Sequence, residues 1–195
     1  MKKILILFAH PRFEQSRANH HLIHALKGMD EVTFHDLYEQ YPDFNVDVNR
    51  EKDLLKRHEI IVWQHPFYWY SCPPLLKQWI DMVLEFGWAY GPNADALHGK
   101  QVFNVITTGG AREVYCEEGR NNYTVKEFLR PFEQTARLCG MDYLPPFAVM
   151  GTHKLKQEDF LSYAKQYQNL LNRLQQDEMF FSEGKKCEFV NDLLE

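Results

Sequence analysis

The sequence lacks the features that mark several large classes of protein. None of its apolar runs approaches the roughly 18 residues that a membrane-crossing helix needs. Acidic and basic residues are mixed along a chain whose net charge is −5, so no basic stripe indicates nucleic-acid binding. The first apolar run is too short for a signal peptide and has no small-residue cleavage site, so we interpret it as a strand. These absences predict a cytoplasmic protein that binds no nucleic acid.

Cysteine pairs and nucleotide-binding patterns are also missing. The four cysteines contain no C-x-x-C pair, and without a secretory signal we expect reduced thiols. We predict no metal site. The absence of G-x-x-x-x-G-K-[ST] argues against a nucleoside triphosphate. The absence of G-x-G-x-x-G after the first strand argues against a Rossmann dinucleotide site.

What the sequence does contain is a regular alternation of strand and helix patterns, in a length that suits one α/β domain. Strands are predicted at residues 3–9, 32–37, 59–64, 101–107 and 143–150. Helices are predicted at residues 16–27, 50–57, 75–86, 124–139 and 157–175. Runs such as "ILILFA" and "IIVW" are apolar on both faces, as in parallel strands covered by helices. The pattern predicts a flavodoxin-like, doubly wound, five-stranded parallel sheet in the order 2-1-3-4-5, with helices on both faces.

The alternation ends before the C-terminus. We assign residues 1–176 to the predicted domain and residues 177–195 to a tail. The tail has two interpretations: a mobile terminus, or an arm docked through Phe180, Phe181 and Phe189.

Three unusual loops follow strands 1, 3 and 4, whose carboxyl ends meet where the strand order reverses. The first is residues 10–19. Ser16 is placed to cap the next helix, with free amides predicted at Arg17, Ala18 and Asn19, and His10 ends the strand. Amides at a helix N-terminus with a nearby cation favour a phosphate. Taken alone, an ordinary helix cap beside a solvated arginine explains the loop better.

The second loop holds four consecutive aromatic residues, Phe67, Tyr68, Trp69 and Tyr70. Aromatic rings pack well against a flat, largely apolar ring system. The alternative is that Phe67 and Tyr68 pack under the loop or in a subunit interface. Trp69 is the residue we least expect to be core, because it is predicted to lie at the tip.

The third loop begins with Thr107, Thr108, Gly109 and Gly110. Glycines let a planar ligand approach the backbone closely, and loop amides can stabilise negative charge on a reduced ring. A Gly-Gly pair alone can simply end a strand. The three loops together predict a cradle for flavin mononucleotide (FMN).

Longer motifs run in order through the chain: "AHP", "YPDFN", "IVWQHP", "WYS", "PPLLK", "GWAYG", "ALHGK", "TTGG" and "YLPPFA". On these motifs the sequence resembles the NAD(P)H:quinone oxidoreductase branch of flavodoxin-like proteins. More closely, it resembles the small ancillary flavoproteins of glutathione-regulated potassium-efflux systems. The resemblance implies FMN, with FAD as the alternative, and two-electron reduction of quinones by NAD(P)H. It also implies a homodimer with the site at the subunit boundary, and flavin contacts in the three loops described above.

The sequence departs from this branch at one position. Larger quinone reductases of the branch assist proton transfer with a Tyr after the glycine loop and a His six residues later. Here Tyr115 is present but the later position is Asn121, so only Tyr115 remains as a candidate catalytic residue. Other histidines, at positions 20, 21 and 98, are ordinary surface residues in the simpler interpretation.

Three functional classes follow from these observations. A quinone reductase would bind NAD(P)H and quinone in turn in one slot, which predicts ping-pong kinetics. A one-electron flavodoxin shuttle is disfavoured by the moderate net charge and by room for a second ring beside the aromatic loop. A regulatory subunit would dock on the cytoplasmic domain of a potassium-efflux channel, at the inner membrane but without an anchor of its own. Residues 38–48, aromatic and acidic, fit such an interface or a dimer contact.

"GWAYG" and "YPDFN" would form an exposed aromatic patch on a monomer, which predicts a symmetric homodimer.

Overall fold

A parallel sheet of six strands forms the centre of the protein. The computed structural model describes residues 1–194, with Glu178 described by its backbone alone. The strands are β1 (Ile4–Phe8), β2 (Val32–Asp36), β3 (Ile60–Pro66), β4 (Gln101–Thr107), β5 (Asp142–Tyr143) and β6 (Phe147–Val149). Their order is β2-β1-β3-β4-β5, and β6 also pairs with β4. The predicted order 2-1-3-4-5 is confirmed.

The central strands β1, β3 and β4 are buried along their whole length. Ile4 pairs with Ile60, and Ile60 pairs with Gln101, so the three strands run level and end at the same edge of the sheet. Helices cover both faces, which explains why these sequences are apolar without alternation. The carboxyl ends of β1, β3 and β4 therefore deliver the three unusual loops to one place.

The predicted strand 143–150 is wrong as a single element. The structure has two short strands, β5 and β6, separated by Leu144, Pro145 and Pro146. Proline has no N–H to donate to a sheet ladder, so two successive prolines interrupt the pairing. Both pieces pair with β4, through Val102 and Tyr143 and then through Val105 and Phe147.

Eight helices lie in the described part of the chain. They are α1 (Arg17–His24), α2 (Leu37–Gln40), α3 (Val48–Lys56), α4 (Pro74–Val83), α5 (Val125–Phe128), α6 (Arg130–Leu138), α7 (Gln157–Gln176) and α8 (Glu178–Gly184). The predicted helix 124–139 is wrong as one element, because it divides into α5 and α6. Leu129, with ψ of 3°, leaves the helix just before Pro131 at the start of α6, where a proline cannot continue a preceding helix.

Two apolar cores separate the helices into layers. On one face, α1, α7 and α8 pack on the sheet around Leu22, Tyr167 and Phe180. On the other face, α2 to α6 pack around Leu55 and Trp79. This sandwich places the carboxyl edge of the sheet between the N-terminus of α1 and the loop before α4.

The segment after α7 folds back onto the domain. The aromatic residues that suggested an arm are buried: Phe180 is 1%, Phe181 is 7% and Phe189 is 3% exposed. A 3-10 helix at Val190–Leu193 follows α8. Glu195, the last residue of the predicted tail, lies outside the described residues.

The aromatic patch expected from "YPDFN" and "GWAYG" is largely internal, so this part of the prediction is wrong. Tyr41 is 4% exposed, and its hydroxyl donates a 2.5 Å hydrogen bond to the buried carboxylate of Glu51. Trp88 and Tyr90 are half-buried against the core. Trp69, at 91% exposed, is instead the most open large aromatic side chain in residues 1–194.

Two further structural observations concern the features that the sequence lacks. The four cysteines form no disulfide with one another. No helix within residues 1–194 has both the length and the apolar character needed to cross a bilayer.

Candidate cofactor site

A cleft of about 410 Å³ opens at the carboxyl edge of the sheet, between the three predicted loops. Each loop contributes to its wall. The predicted residues that line it are His10, Ser16, Arg17, Ala18, Phe67, Tyr68, Thr107 and Gly109. Asn19, Trp69, Tyr70, Thr108 and Gly110 lie behind or beside this wall.

The first loop offers an anion site at the start of α1. The Ser16 side chain caps the helix by accepting from the amide of Asn19 at 3.4 Å. The amides of Arg17 and Ala18 make no hydrogen bond among residues 1–194, so both are available to a ligand. The Arg17 guanidinium packs over the Phe160 ring at 4.8 Å, which holds the cation at the cleft. The predicted free amide of Asn19 is wrong, because the cap already uses it.

The Asn19 side chain is fully buried and braces the loop from below. Its amide nitrogen donates to the Ser16 hydroxyl at 3.0 Å and to the Thr107 hydroxyl at 3.3 Å. Its oxygen accepts from Gln64 at 3.0 Å, and Gln64 accepts from the Tyr167 hydroxyl at 3.0 Å. This chain of neutral hydrogen bonds fixes the first and third loops relative to each other.

His10 faces the cleft as a neutral donor. Its Nδ1 accepts the Arg12 amide at 3.1 Å, so the proton of the neutral ring is on Nε2. Burial lowers the pKa of His10 to about 4, and the nearby Glu14 only partly offsets this. At neutral pH the ring therefore offers one N–H without adding positive charge.

The aromatic loop holds an unusual backbone. Trp69 and Tyr70 have φ of 51° and 63°, in the left-handed region that bulky residues seldom occupy. Phe67 and Tyr68 form the cleft wall, and Tyr68 packs edge-on to His10 with ring centroids 5.9 Å apart. Tyr70 stacks on Phe128 at 4.9 Å. Strain of this kind persists where the surrounding structure enforces it, which is common at binding sites.

The third loop brings bare backbone to the cleft. A Cβ on Gly109 would lie 2.7 Å from Nε2 of His153, so a larger residue would displace that ring. The amides of Gly109 and Gly110 make no hydrogen bond within residues 1–194. Thr108 is internal, since its hydroxyl donates to the carbonyl of Gly110 at 2.5 Å. Two backbone N–H groups of the loop are therefore available to a ligand, and the side chain next to Gly109 is that of His153.

Tyr115 does not line the cleft. It is 8% exposed and lies behind the glycine loop, with its hydroxyl 3.1 Å from the position a Cβ on Gly110 would take. Burial raises its pKa, and a hydrogen bond with Thr108 acts in the opposite direction. Asn121, at the position where the branch has histidine, accepts from the Tyr70 hydroxyl at 3.3 Å. It therefore links this loop to the aromatic loop.

Several cleft residues were not predicted from the sequence, namely Arg12, Gln15, Pro66, Thr152, His153 and Phe160. Arg12, Gln15 and Pro66 fall inside loops already singled out. Thr152 and His153 follow the last strand, so the rule that ligands bind at carboxyl ends also points to them. Phe160 lies on α7, and no sequence signal identifies it.

These features fit FMN. Free amides and Arg17 at the start of α1 suit a phosphate, and Phe67 with Tyr68 suits one side of a flat ring. Glycine is needed at position 109 because a Cβ there would collide with the His153 ring, which lines the same cleft.

The chain is similar to several known proteins. A family described as "Flavodoxin-like fold" matches residues 2–171. The chain is 44% identical to the glutathione-regulated potassium-efflux system ancillary protein KefG of Erwinia tasmaniensis, covering 85% of this chain and 90% of that protein. It is 41% identical to general stress protein 14 of Treponema denticola in complex with FMN, with a TM-score of 0.85 and coverage of 89% and 99%. It is 31% identical to an NADPH-quinone reductase from P. pentosaceus, with a TM-score of 0.80 and coverage of 90% and 98%.

Proposed function

The chain belongs to the flavodoxin-like family, and we propose that it is an FMN-dependent NAD(P)H:quinone oxidoreductase. The observation that carries the proposal is the convergence of an anion site, an aromatic wall and a bare glycine loop on one cleft. Two relatives support it, since one is described in complex with FMN and another as an NADPH-quinone reductase.

Different residues of the cleft would contact different parts of the cofactor. Ser16, Arg17 and the amide of Ala18 would bind the phosphate, because charge-assisted hydrogen bonds to phosphate are strong. Phe67 and Tyr68 would pack against the ring. The amides of Gly109 and Gly110 would face the ring edge that becomes negative on reduction. When bound, FMN supplies two-electron hydride transfer between NAD(P)H and a quinone.

The reaction also needs a slot for the second substrate and a proton donor. Tyr68 lines the cleft and is 41% exposed; nicotinamide and quinone would bind in turn in the open space beside it, so we expect ping-pong kinetics. Tyr115 is our candidate for proton transfer. Burial raises its pKa, so the hydroxyl is protonated at physiological pH, and it lies 3.1 Å from the position that a Cβ on Gly110 would take.

A homodimer is part of the proposal. Trp69 is 91%, Tyr123 is 56% and Tyr70 is 46% exposed. Tyr70 and Tyr123 both contact the ring of Phe128, so they form one aromatic patch beside the cleft. A patch of this kind favours association in a soluble protein. A twofold contact there would cover the mouth of the cofactor site. Light scattering at micromolar concentration tests this, and a monomer would contradict it.

A regulatory role is the second candidate function, and the similarity to KefG supports it. We propose that the protein also acts as an ancillary subunit of a potassium-efflux system, docking on a cytoplasmic domain of the channel. Residues 43–47 supply exposed acidic groups, Asp43 and Asp47. The Gln78 side chain donates to the carbonyl of Phe44 at 2.6 Å, which anchors this segment to α4 and away from the cleft.

Cofactor binding can be tested directly. Purified protein should show the absorbance of oxidised flavin and should reduce menadione with NADPH. Ser16→Ala combined with Arg17→Ala should raise the Kd for FMN by about 100-fold or more, because two phosphate contacts are lost. Arg137→Ala, which removes an exposed arginine from the far surface pair with Glu133, is the matched control. Wild-type affinity in the double variant would show that the phosphate is bound elsewhere.

A second experiment separates the enzyme from the regulator. Tyr115→Phe should lower quinone turnover and leave potassium efflux intact. Asp43→Asn with Asp47→Asn should reduce efflux and leave turnover intact, since an amide at Asp47 still caps α3. The readouts are efflux from cells that carry the channel and NADPH–quinone rates for the same variants. If efflux follows turnover in every variant, the separate regulatory role is wrong. If no variant changes efflux and no channel binds, the protein is a stand-alone reductase.

A further inference from the structure

We infer that the C-terminal segment, residues 177–193, is a positioning element that holds the glycine-loop wall of the cleft in place. The family match ends at residue 171, so this segment lies outside the matched part of the chain. The inference rests on the proposed function only in naming FMN as the ligand that benefits.

The first contact is with the edge of the sheet. The side chain of Asn191 accepts from the amide of Ala148 at 2.8 Å and donates to its carbonyl at 3.2 Å. One side-chain amide thus takes the place of a neighbouring strand beside β6. The amide of Val190 adds a bond to the carbonyl of Pro146 at 3.1 Å. The segment therefore closes an edge whose backbone groups would otherwise be open.

The strand held in this way supports the glycine loop. Beyond β6, the amide of Gly151 donates to the carbonyl of Gly110 at 2.8 Å, and the amide of Thr152 donates to the carbonyl of Thr108 at 3.0 Å. The Thr152 hydroxyl donates to the same Thr108 carbonyl at 3.0 Å. Fixing Ala148 therefore fixes the two carbonyls that set the path of the loop.

The second contact is with the residues just after the loop. The guanidinium of Arg112 donates to Asp192 at 2.9 Å and to Glu188 at 2.6 Å. It also lies over the Phe189 ring at 4.7 Å. Exposed ion pairs are individually weak, but a planar guanidinium held by two carboxylates and a ring has one preferred position. The segment thus also contacts Arg112, just after the glycine loop in the sequence.

The segment has its own anchor, independent of Arg112. Phe180 and Val190 are each 1% exposed, and Arg173 packs over the Phe180 ring at 3.9 Å. Removing either the Asn191 or the Arg112 contacts should therefore make the loop more mobile without detaching the segment. The site would then bind its ligand less tightly, because part of the binding free energy would be spent on ordering the loop.

The test compares three variants of the full chain. Arg112→Ala removes the contacts with Glu188, Phe189 and Asp192. Asn191→Ala removes the two hydrogen bonds to Ala148. Lys185→Ala removes a different ion pair of the same segment, the 2.6 Å contact with Asp142, which touches neither wall of the cleft. Amide hydrogen exchange on the cofactor-free protein reports on residues 109–122, and fluorescence titration of the apoprotein gives the Kd for FMN.

We expect Arg112→Ala and Asn191→Ala each to increase exchange in residues 109–122. We also expect each to raise the Kd for FMN about fivefold, with melting temperatures close to that of wild type. Arg112→Lys should recover part of the affinity, and Lys185→Ala should change neither quantity. Unchanged exchange in both Arg112→Ala and Asn191→Ala would overturn the inference. So would an unchanged Kd in a protein that binds FMN. If wild type binds no FMN, the proposed function fails, while exchange still decides whether the segment holds the loop.

Discussion

The two faces of the sheet bury two polar clusters of different character. On the face covered by α2 to α6, the carboxylate of Glu51 is fully buried and meets His35 at 2.8 Å, Tyr41 at 2.5 Å and Trp79 at 2.7 Å. On the face covered by α1 and α7, the cluster is neutral and runs from Tyr167 through Gln64 and Asn19 to Ser16. The first lies inside the core, whereas the second ends at the cleft.

The difference separates a cluster that supports the fold from one that supports the site. Burial raises the pKa of Glu51, but hydrogen bonds from His35, Tyr41 and Trp79 outweigh it and leave the pKa below its ordinary value. A charge satisfied from three elements ties β2, α3 and α4 together. The neutral cluster carries no charge that could repel an anion, so it can sit directly beneath a phosphate.

The largest expected effect comes from removing the buried charge. Glu51→Ala leaves three buried donors without an acceptor, which should lower the free energy of unfolding by about 3–5 kcal/mol. Urea denaturation measures this. The Kd for FMN should change less than about twofold if the core still folds, because no member of the cluster reaches the cleft.

The control for Glu51 is a carboxylate in an exposed pair. Asp81 accepts from Lys77 at 2.5 Å and 2.7 Å on the surface of α4. Asp81→Ala should lower the free energy of unfolding by less than about 0.5 kcal/mol. Equal losses in the two variants would mean that the Glu51 cluster is not a special support of the fold.

The next prediction concerns pH and a neutral group on the same face as Glu51. Burial lowers the pKa of His65 to about 4, although its bond to the carbonyl of Pro66 acts in the other direction. The unfolded chain therefore binds this proton near pH 6.5 and the folded chain only near pH 4. Stability from the neutral ring is fully present above about pH 6.5 and is lost as the pH falls towards 4, by on the order of 3 kcal/mol.

Imidazole titration by NMR checks the pKa of His65, and urea denaturation from pH 7 to 5 checks its effect. His65→Gln should show a shallower fall in unfolding free energy across this range. Over the same range Glu51 stays ionised, since its pKa is already lowered. A His65 resonance that titrates near pH 6.5 would contradict the prediction.

How much the sequence predicts differs between these regions. The bounds of β4 and the sheet order follow from apolar runs and alternation, because the sheet interior imposes the same rule on every central strand. The break between β5 and β6 depends on Pro145 and Pro146, which an average apolar pattern hides. The start of α6 was missed in the same way, since Pro131 within a helical pattern was not treated as a boundary.

The site was predictable where backbone chemistry has a local signature. The cap at Ser16 and the glycines at 109 and 110 carry such signatures. The partners of Asn19 do not, because Gln64 and Tyr167 are far from it in sequence and meet it only through the sheet. His153 follows Gly151 and Thr152, whose amides donate to the glycine loop, and no local sequence signal predicts that pairing.

A variant in the neutral cluster should lose less stability than Glu51→Ala but more affinity for FMN. Asn19→Ala removes bonds to Ser16, Thr107 and Gln64, which should lower the free energy of unfolding by about 2 kcal/mol. It should also raise the Kd for FMN about tenfold, because the cap loses its brace. Tyr167→Phe removes the far end of the same cluster, so it should cost about 1 kcal/mol with little change in Kd. Equal effects on Kd would show that position along the cluster does not matter.

After the exposed Asp81 control, the smallest effect on stability should come from the aromatic loop, where neither cluster reaches. Trp69 is 91% exposed with φ of 51°, so its side chain contributes little burial while its backbone is strained. Trp69→Gly relieves that strain but makes the unfolded chain more flexible. The free energy of unfolding should therefore change by no more than about 1 kcal/mol. Tyr70→Gly is the matched comparison, with φ of 63° but a ring stacked on Phe128 and a bond to Asn121.

Tyr70→Gly should be the less stable of the two by about 1–2 kcal/mol. Both variants relieve backbone strain, but only Tyr70→Gly also loses a packed ring. Urea denaturation of both variants gives the difference. If Trp69 forms part of the dimer contact, Trp69→Gly should also weaken self-association, which light scattering measures. A large loss of stability in Trp69→Gly would place this side chain within the supporting structure. The strained loop would then owe its shape to packing by Trp69 rather than to the demands of the site.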